Sequence, residues 1–168
     1  MSQISDAILA GNIGELKALG ANKGAQQFQF STEKERWNYL HIALLAVRDL
    51  VPADIISYLL EAGVNPNAAD CYGNTPLHYA ARAKYVDAMK LLLDNGAMVD
   101  PVNNDCLTPL RKTLLTKPYS IAATSLLLLR GANPDAKGKS GKTVRDYVRA
   151  IAHGDDRAIG ELFDLPST

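Results

Sequence analysis

The sequence predicts an all-α solenoid: helix-turn-helix units stacked in register and joined by finger-like loops of β-turn or hairpin form. Three observations predict it. First, Gly73-Asn74-Thr75-Pro76-Leu77-His78-Tyr79-Ala80 returns 33 residues later as Cys106-Leu107-Thr108-Pro109-Leu110-Arg111. Weaker copies stand at Asn38-Tyr39-Leu40-His41-Ile42-Ala43, 37 residues before Thr75, and at Gly141-Lys142-Thr143-Val144-Arg145-Asp146-Tyr147, 35 residues beyond Thr108. Second, apolar runs end in Gly63, Gly96 and Gly131, each 12 residues before the next motif threonine. Third, the 168-residue chain is 47% hydrophobic but only 7% aromatic, so its apolar mass is mostly Leu, Ala, Ile and Val, which suits helices. Self-similarity at a period between about 20 and 50 residues marks a repeat architecture, in which each unit buries its apolar face only against its neighbours.

Each element follows from local chemistry. Thr75 can cap a helix, and Pro76 suits its first turn because proline's missing N–H has no partner inside the helix there. Gly63, Gly96 and Gly131 stand where second helices end, the place for a left-handed cap. Pro52 and Pro118 are expected to open the second helices of their units. Asn65-Pro66 and Asn133-Pro134 then turn the chain out towards the next finger. The finger has constant length, while the spacing between the two helices varies: Ala43 to Gly63 is 20 residues, Ala80 to Gly96 is 16 and Thr113 to Gly131 is 18. Leu77, Ala80, Leu91 and Leu92 are expected to pack against Leu110, Leu114, Leu126 and Leu127. The stretch from 21 to 36 is too long for a simple finger. It alternates as Gln27-Phe28-Gln29-Phe30, which reads as an extended hairpin or an ordered lid.

These residues resemble the ankyrin repeat, a unit of about 33 residues with a T-P-L-H-x-A signature. Thr75 to Ala80 matches it fully; Arg111 replaces the histidine in the next unit, and Asn38-Tyr39 replaces Thr-Pro in the first full one. The resemblance covers roughly 34–164, with Asp6 to Leu19 as a half-matching opening unit. It implies one domain with a cap unit at 2–33, repeats at 34–66, 67–100 and 101–135, and a C-terminal cap unit at 136–168, where Arg145 fills the leucine slot.

Lys+Arg and Asp+Glu both number 18, so the formal net charge is zero, and a dedicated nucleic-acid binder, usually basic, is not expected. The uncharged run Ser120 to Leu129 falls far short of the roughly 20 residues that span a bilayer. With two cysteines, no disulfide framework and no leader-like N-terminus, the expected location is cytoplasmic. Ala136-Lys137-Gly138-Lys139-Ser140-Gly141-Lys142-Thr143 reads as A-x-x-x-x-G-K-T, a relaxed phosphate loop, and gives the rival reading of a nucleotide-binding enzyme using 136–143. That loop needs a preceding strand and a parallel sheet, and the repeat register already accounts for Gly141 and Thr143. His41 and His78 share one slot, for which the resemblance implies a structural role, and His153 is expected in solvent. No metal spacing and no nucleophile–base pairing stands out, so neither an enzyme nor a cofactor is expected.

What remains is surface. The resemblance implies that fingertips and first helices form a concave binding face. By register its candidate residues are Trp37, Tyr72, Asn74, Arg82, Asn104, Asp105, Leu107, Lys139 and Lys142, with Lys34, Glu35, Cys71, Ala83, Leu115, Thr116 and Ser140 beside them. Trp, Tyr and Arg dominate interface hot spots, although Trp37 can equally pack beneath the loop before it. Residues 31–70 carry three positive and six negative side chains, whereas 136–149 carry five positive against Asp146 alone. That last finger is either a docking spot for an acidic patch or ordinary solvated surface. The expected function is non-catalytic: a monomer that binds a protein partner and inhibits, escorts or scaffolds it. With no second domain expected, the sharper form is an immunity protein neutralising a toxin enzyme.

Overall fold

The computed structural model describes residues 2–23, 28, 30–45 and 50–163. Ten α-helices lie among them. An inner row holds α1 (Gln3–Leu9), α3 (Tyr39–Leu45), α5 (Pro76–Ala83), α7 (Pro109–Thr113) and α9 (Val144–Ile151). An outer row holds α2 (Ile13–Lys23), α4 (Ala53–Glu61), α6 (Val86–Asp94), α8 (Ile121–Leu129) and α10 (Arg157–Glu161), the last preceded by a 3-10 turn at Gly154–Asp156. Along the inner row α1 packs on α3, α3 on α5 and α5 on α7; along the outer row α2 meets α4, then α6, α8 and α10. The described residues contain no strand, only one isolated antiparallel bridge, Lys137 with Thr143.

The caps form as the sequence dictates. Gly63, Gly96 and Gly131 have φ of +82°, +83° and +85°. A left-handed backbone costs an L-residue about 1–2 kcal/mol, which is why glycine holds these three slots. Thr108 Oγ1 accepts from Arg111 N at 3.3 Å. Thr143 and Asp146 cap each other reciprocally, Thr143 N donating to Asp146 Oδ2 and Asp146 N to Thr143 Oγ1, both at 3.0 Å. Pro52 stands at the N-cap of α4 as expected. Pro118 does not open α8: Ser120 caps that helix, accepting from Ala123 N at 3.2 Å, because a hydroxyl satisfies the free N–H that a proline leaves open.

The core runs between the two rows. Leu40, Ile55, Leu59, Leu77, Met89, Leu92, Leu110, Leu114 and Leu127 are fully buried. Leu91 and Leu126 are only half-buried at its edge. Residues 24–27 and 29, on which the hairpin expectation chiefly rests, lie outside the described ones. On either side of them α2 continues to Lys23, and Phe28 is buried edge-on against Tyr39 and Tyr58, with centroids 6.1 and 5.8 Å away. Phe30 stacks on Tyr39 at 5.2 Å. Period two here places both phenylalanines on the first repeat without a strand at either of them.

Candidate functional site

The fingers are built by one repeated device. Asp70 Oδ1 accepts from Tyr72 N at 2.8 Å and Asn74 N at 2.7 Å. One repeat later Asn103 Oδ1 accepts from Asp105 N at 3.0 Å and Leu107 N at 2.9 Å. A side-chain acceptor at this position closes the turn by mimicking a backbone group. Asp70 Oδ2 also accepts from the Tyr79 hydroxyl at 2.6 Å. Burial works to raise the Asp70 pKa, but these bonds, led by Tyr79, together hold it below the usual carboxylate range. Each turn then needs a left-handed residue, and the four equivalent positions are Arg36, Gly73, Cys106 and Gly141, at φ of +58°, +75°, +55° and +76°.

Neighbouring fingers are stitched together. Cys71 N donates to Glu35 O at 2.9 Å, and Asn104 N to Tyr72 O at 3.0 Å. Asn103 Nδ2 donates to Asn74 Oδ1 at 2.8 Å, and Asn104 Nδ2 to Cys71 O at 3.2 Å. The repeat histidines bridge the same seam. His78 Nδ1 accepts from Thr75 N at 3.1 Å, and its Nε2 faces Leu107 O at 2.9 Å. A ring nitrogen facing a carbonyl must carry the proton, so His78 is the neutral Nε2–H tautomer. Burial first, and then the Lys112 charge, depress its pKa to about 4. His41 does the same towards Asn74 O at 3.0 Å, and burial depresses it too. Arg111, in the third such slot, stacks its guanidinium 3.2 Å above the Tyr147 ring instead.

The predicted residues therefore divide. Tyr72 is 61% exposed at a fingertip, and Arg82, Asn104, Asp105, Lys139 and Lys142 are each exposed as well. The Asn74 side chain is committed to the seam through its Asn103 bond, and the Leu107 backbone carbonyl through the His78 bond. Asp105 is paired with Lys139 at 2.8 Å. Trp37 is half-buried against the core; its indole N–H lies beside the Tyr79 hydroxyl without good hydrogen-bond geometry. His153 is exposed, and so is the thiol-bearing Cys106.

The 136–143 segment folds as a finger. Gly138 N donates to Lys142 O at 3.0 Å and Gly141 N to Gly138 O at 2.9 Å, while Thr143 N and its hydroxyl both donate to Asp146. The Gly138, Gly141 and Thr143 donors that a phosphate would use are thus already taken, those of Thr143 by a carboxylate. A hollow of about 280 Å³ at the C-terminal end is lined by Arg145, Arg149 and Arg157 among others. Each is matched with an acid: Asp135 at 3.2 Å, Asp146 at 3.9 Å and Glu161 at 3.4 Å. A second, smaller hollow opens beside the inner helices α5 and α7, between Asn74, His78, Tyr79, Arg82 and Lys112. Sequence reasoning passed over Lys112. Aligning slots finds it, because four residues beyond the motif threonine stand Tyr79 and Tyr147 in the flanking repeats and Lys112 between them.

Among the described residues no helix is long and apolar enough to cross a membrane, and no group of three or more His, Cys, Asp or Glu could hold a metal. A family model for ankyrin repeats, in three copies, matches residues 5–105. An ankyrin repeat protein of fowlpox virus is 35% identical over 77 residues, 46% of this chain and 18% of that protein. The tyrosine-protein kinase Shark of Drosophila melanogaster is 36% identical over 111 residues, 66% of this chain and 11% of the kinase. An ankyrin repeat protein of Acanthamoeba polyphaga mimivirus is 32% identical over 117 residues, 69% of this chain and 14% of that protein. In each case the chain spans less than a fifth of the relative's own length.

Proposed function

Because the chain belongs to the ankyrin-repeat family, whose repeats are protein-interaction modules, we propose that it binds a partner protein across its fingertips and inner helices and acts by what it covers, inhibiting or escorting that partner. The five-unit division, with caps at 2–33 and 136–168, belongs to the same proposal. The observation that carries it is the fingertip row itself. A stitched, pre-ordered seam carries Tyr72 at 61% exposure, with exposed Asn104 bonded to its backbone carbonyl. Large exposed side chains on a pre-formed surface lose little entropy on binding, which is what interface anchors require. An enzyme partner is the sharper form, since a cover over an active site needs only a standard interface of roughly 1,200 Å² or more.

The test begins with the protein that co-purifies from the native cell. Tyr72→Ala should leave the far-ultraviolet spectrum and melting temperature unchanged and weaken that complex by about tenfold or more. Lys90→Ala, on the exposed outer row, should leave affinity unchanged. The reverse pattern would overturn the choice of face. If the partner is an enzyme, its activity should fall in proportion to complex formed; full activity in the complex refutes inhibition.

A further inference from the structure

We infer that the concave face receives a carboxylate side chain of the partner, held between Arg82 of α5 and Lys112 of α7. The inference rests on the protein-binding reading and adds to it the chemistry of one contact. The two cations come from adjacent repeats and line one hollow of about 30 Å³. That is far too little for a nucleotide, but the hollow is open to solvent, so a single carboxylate can meet both cations at its mouth.

Neither of these two cations has an ion-pair partner among the described residues. Asp70 is within electrostatic reach of Lys112, but its two oxygens already serve Tyr72 N, Asn74 N, Tyr79 Oη and Asn74 Nδ2. Asp105 is the other acid near Lys112, and it is ion-paired with Lys139. His78 is neutral there, and its Nε2–H is committed to Leu107 O. Asn74 spends its side chain on Asn103 and Asp70. Among the described residues Arg82 and Lys112 make no ion pair, whereas Lys117, Arg130, Lys139, Arg145, Arg149 and Arg157 each do.

The free donors of this hollow are therefore cationic. Arg82 stands 5.4 Å from the Tyr79 ring centroid, an arrangement that limits how far the guanidinium wanders. Lys112 is half-buried, and its ammonium is held below the usual lysine range by that burial and then by Arg82. A half-desolvated ammonium beside a like charge regains both losses when an anion arrives, and a guanidinium offers a planar fork to a carboxylate. A partner aspartate or glutamate fits the charge, the size and the donor geometry together.

The experiment titrates the isotope-labelled full chain with a capped hexaglutamate peptide, and separately with inorganic phosphate at equal ionic strength, following side-chain resonances by NMR. Saturable shifts should centre on Arg82 and Lys112, with half-saturation at roughly 1 mM for so small a contact. Arg82→Gln with Lys112→Met should weaken binding at least tenfold, and Lys90→Met, on the exposed outer row, should change it less than twofold. Shifts spread evenly over exposed lysines, or centred on Lys139 and Lys142, would overturn the inference; so would tighter binding of phosphate than of peptide. Localisation in the unmutated chain keeps the test decisive even where the double variant folds poorly. The two readings separate cleanly. A partner lost with Tyr72→Ala but indifferent to Arg82→Gln and Lys112→Met removes the carboxylate contact alone, whereas a chain that captures no protein removes the broader reading.

Discussion

Asp100→Asn should stabilise this protein, and the reason lies in one repeat read against the next. Eight residues before Thr75 stands Asn67, and eight before Thr108 stands Asp100. Asn67 satisfies both halves of its amide. Its Oδ1 accepts from Met98 N at 2.8 Å and its Nδ2 donates to Gly96 O at 2.9 Å. Asp100 Oδ2 accepts from Asn133 N at 2.8 Å, the counterpart of the first bond. The counterpart of the second would face Gly131 O, and a carboxylate has no proton to offer it. Asp100 Oδ1 is accordingly buried without a partner. Burial pushes the Asp100 pKa up, with the Asn133 bond working the other way.

An unmade hydrogen bond at a buried polar atom costs about 1–3 kcal/mol. Asp100 as a whole is half-buried, so the lower end applies, about 1 kcal/mol. For a chain of this size that is roughly 2–4 °C in melting temperature. The pH dependence supplies the stricter check. A carboxyl whose folded pKa exceeds its unfolded one binds its proton more tightly when folded. Wild-type stability therefore rises, relative to the variant, as pH falls through the raised pKa, and is lost again as pH rises through it. Urea unfolding of both proteins should show the variant ahead at pH 7 and the gap closing towards pH 4, while the other carboxylates cancel in the difference. A variant no more stable at pH 7, or a gap unchanged by pH, would refute the argument.

Other perturbations follow from the same geometry. Leu77→Ala, at a fully buried site between α5 and its neighbours, should cost about 2–5 kcal/mol in denaturant unfolding, as core truncations do. Gly73→Ala should cost clearly more than Gly63→Ala. Both have positive φ, but a Cβ at 73 would meet Asn104 Oδ1 at 2.8 Å and Asn104 N at 3.1 Å, and one at 63 would meet nothing within 4 Å. Cys106→Gly should gain stability, by about 0.5–1 kcal/mol, because Cys106 holds φ +55° where its counterparts Gly73 and Gly141 stand; an equal or lower unfolding midpoint would count against that. His78, neutral when folded, should contribute stability that is complete above its unfolded pKa near 6.5 and lost as pH falls through about 4; its NMR ring signals should stay flat from pH 8 to 5.

The stacked helical fold was legible because its determinants are local. Gly63, Gly96 and Gly131 are glycines for a backbone angle, and Thr143 caps α9 through atoms three residues away. Pro118 was misread for a related reason. A proline near a helix start is a permissive signal, while the cap is a specific one, and Ser120 carried it two residues later. The 21–36 stretch was less legible because alternation reports only that two side chains share a side. Phe28 and Phe30 share the side of Tyr39, and the tyrosine, being distant in sequence, gave no local sign.

The candidate site was legible by slot but not by occupancy. Register offered Asn74 and Leu107 as binding residues, yet could not show that the seam claims the Asn74 side chain and the Leu107 carbonyl. It passed over Lys112 because a lysine is ordinary on a surface. What makes Lys112 unusual is relational: a tyrosine slot in the repeats on either side, Arg82 near it, and the nearby acids spent on Tyr79 and Lys139. Asp100 is the same kind of departure with the opposite consequence. In a stack of equivalent units, a residue that breaks its slot inherits its neighbours' bonding pattern without the atoms to complete it. Where the slot is turned inward, as at Asp100, the unmet bond is a stability defect that mutation can remove. Where it opens on the groove, as at Lys112, the unmet charge can be completed by another molecule, and a binding contact is the form that completion takes.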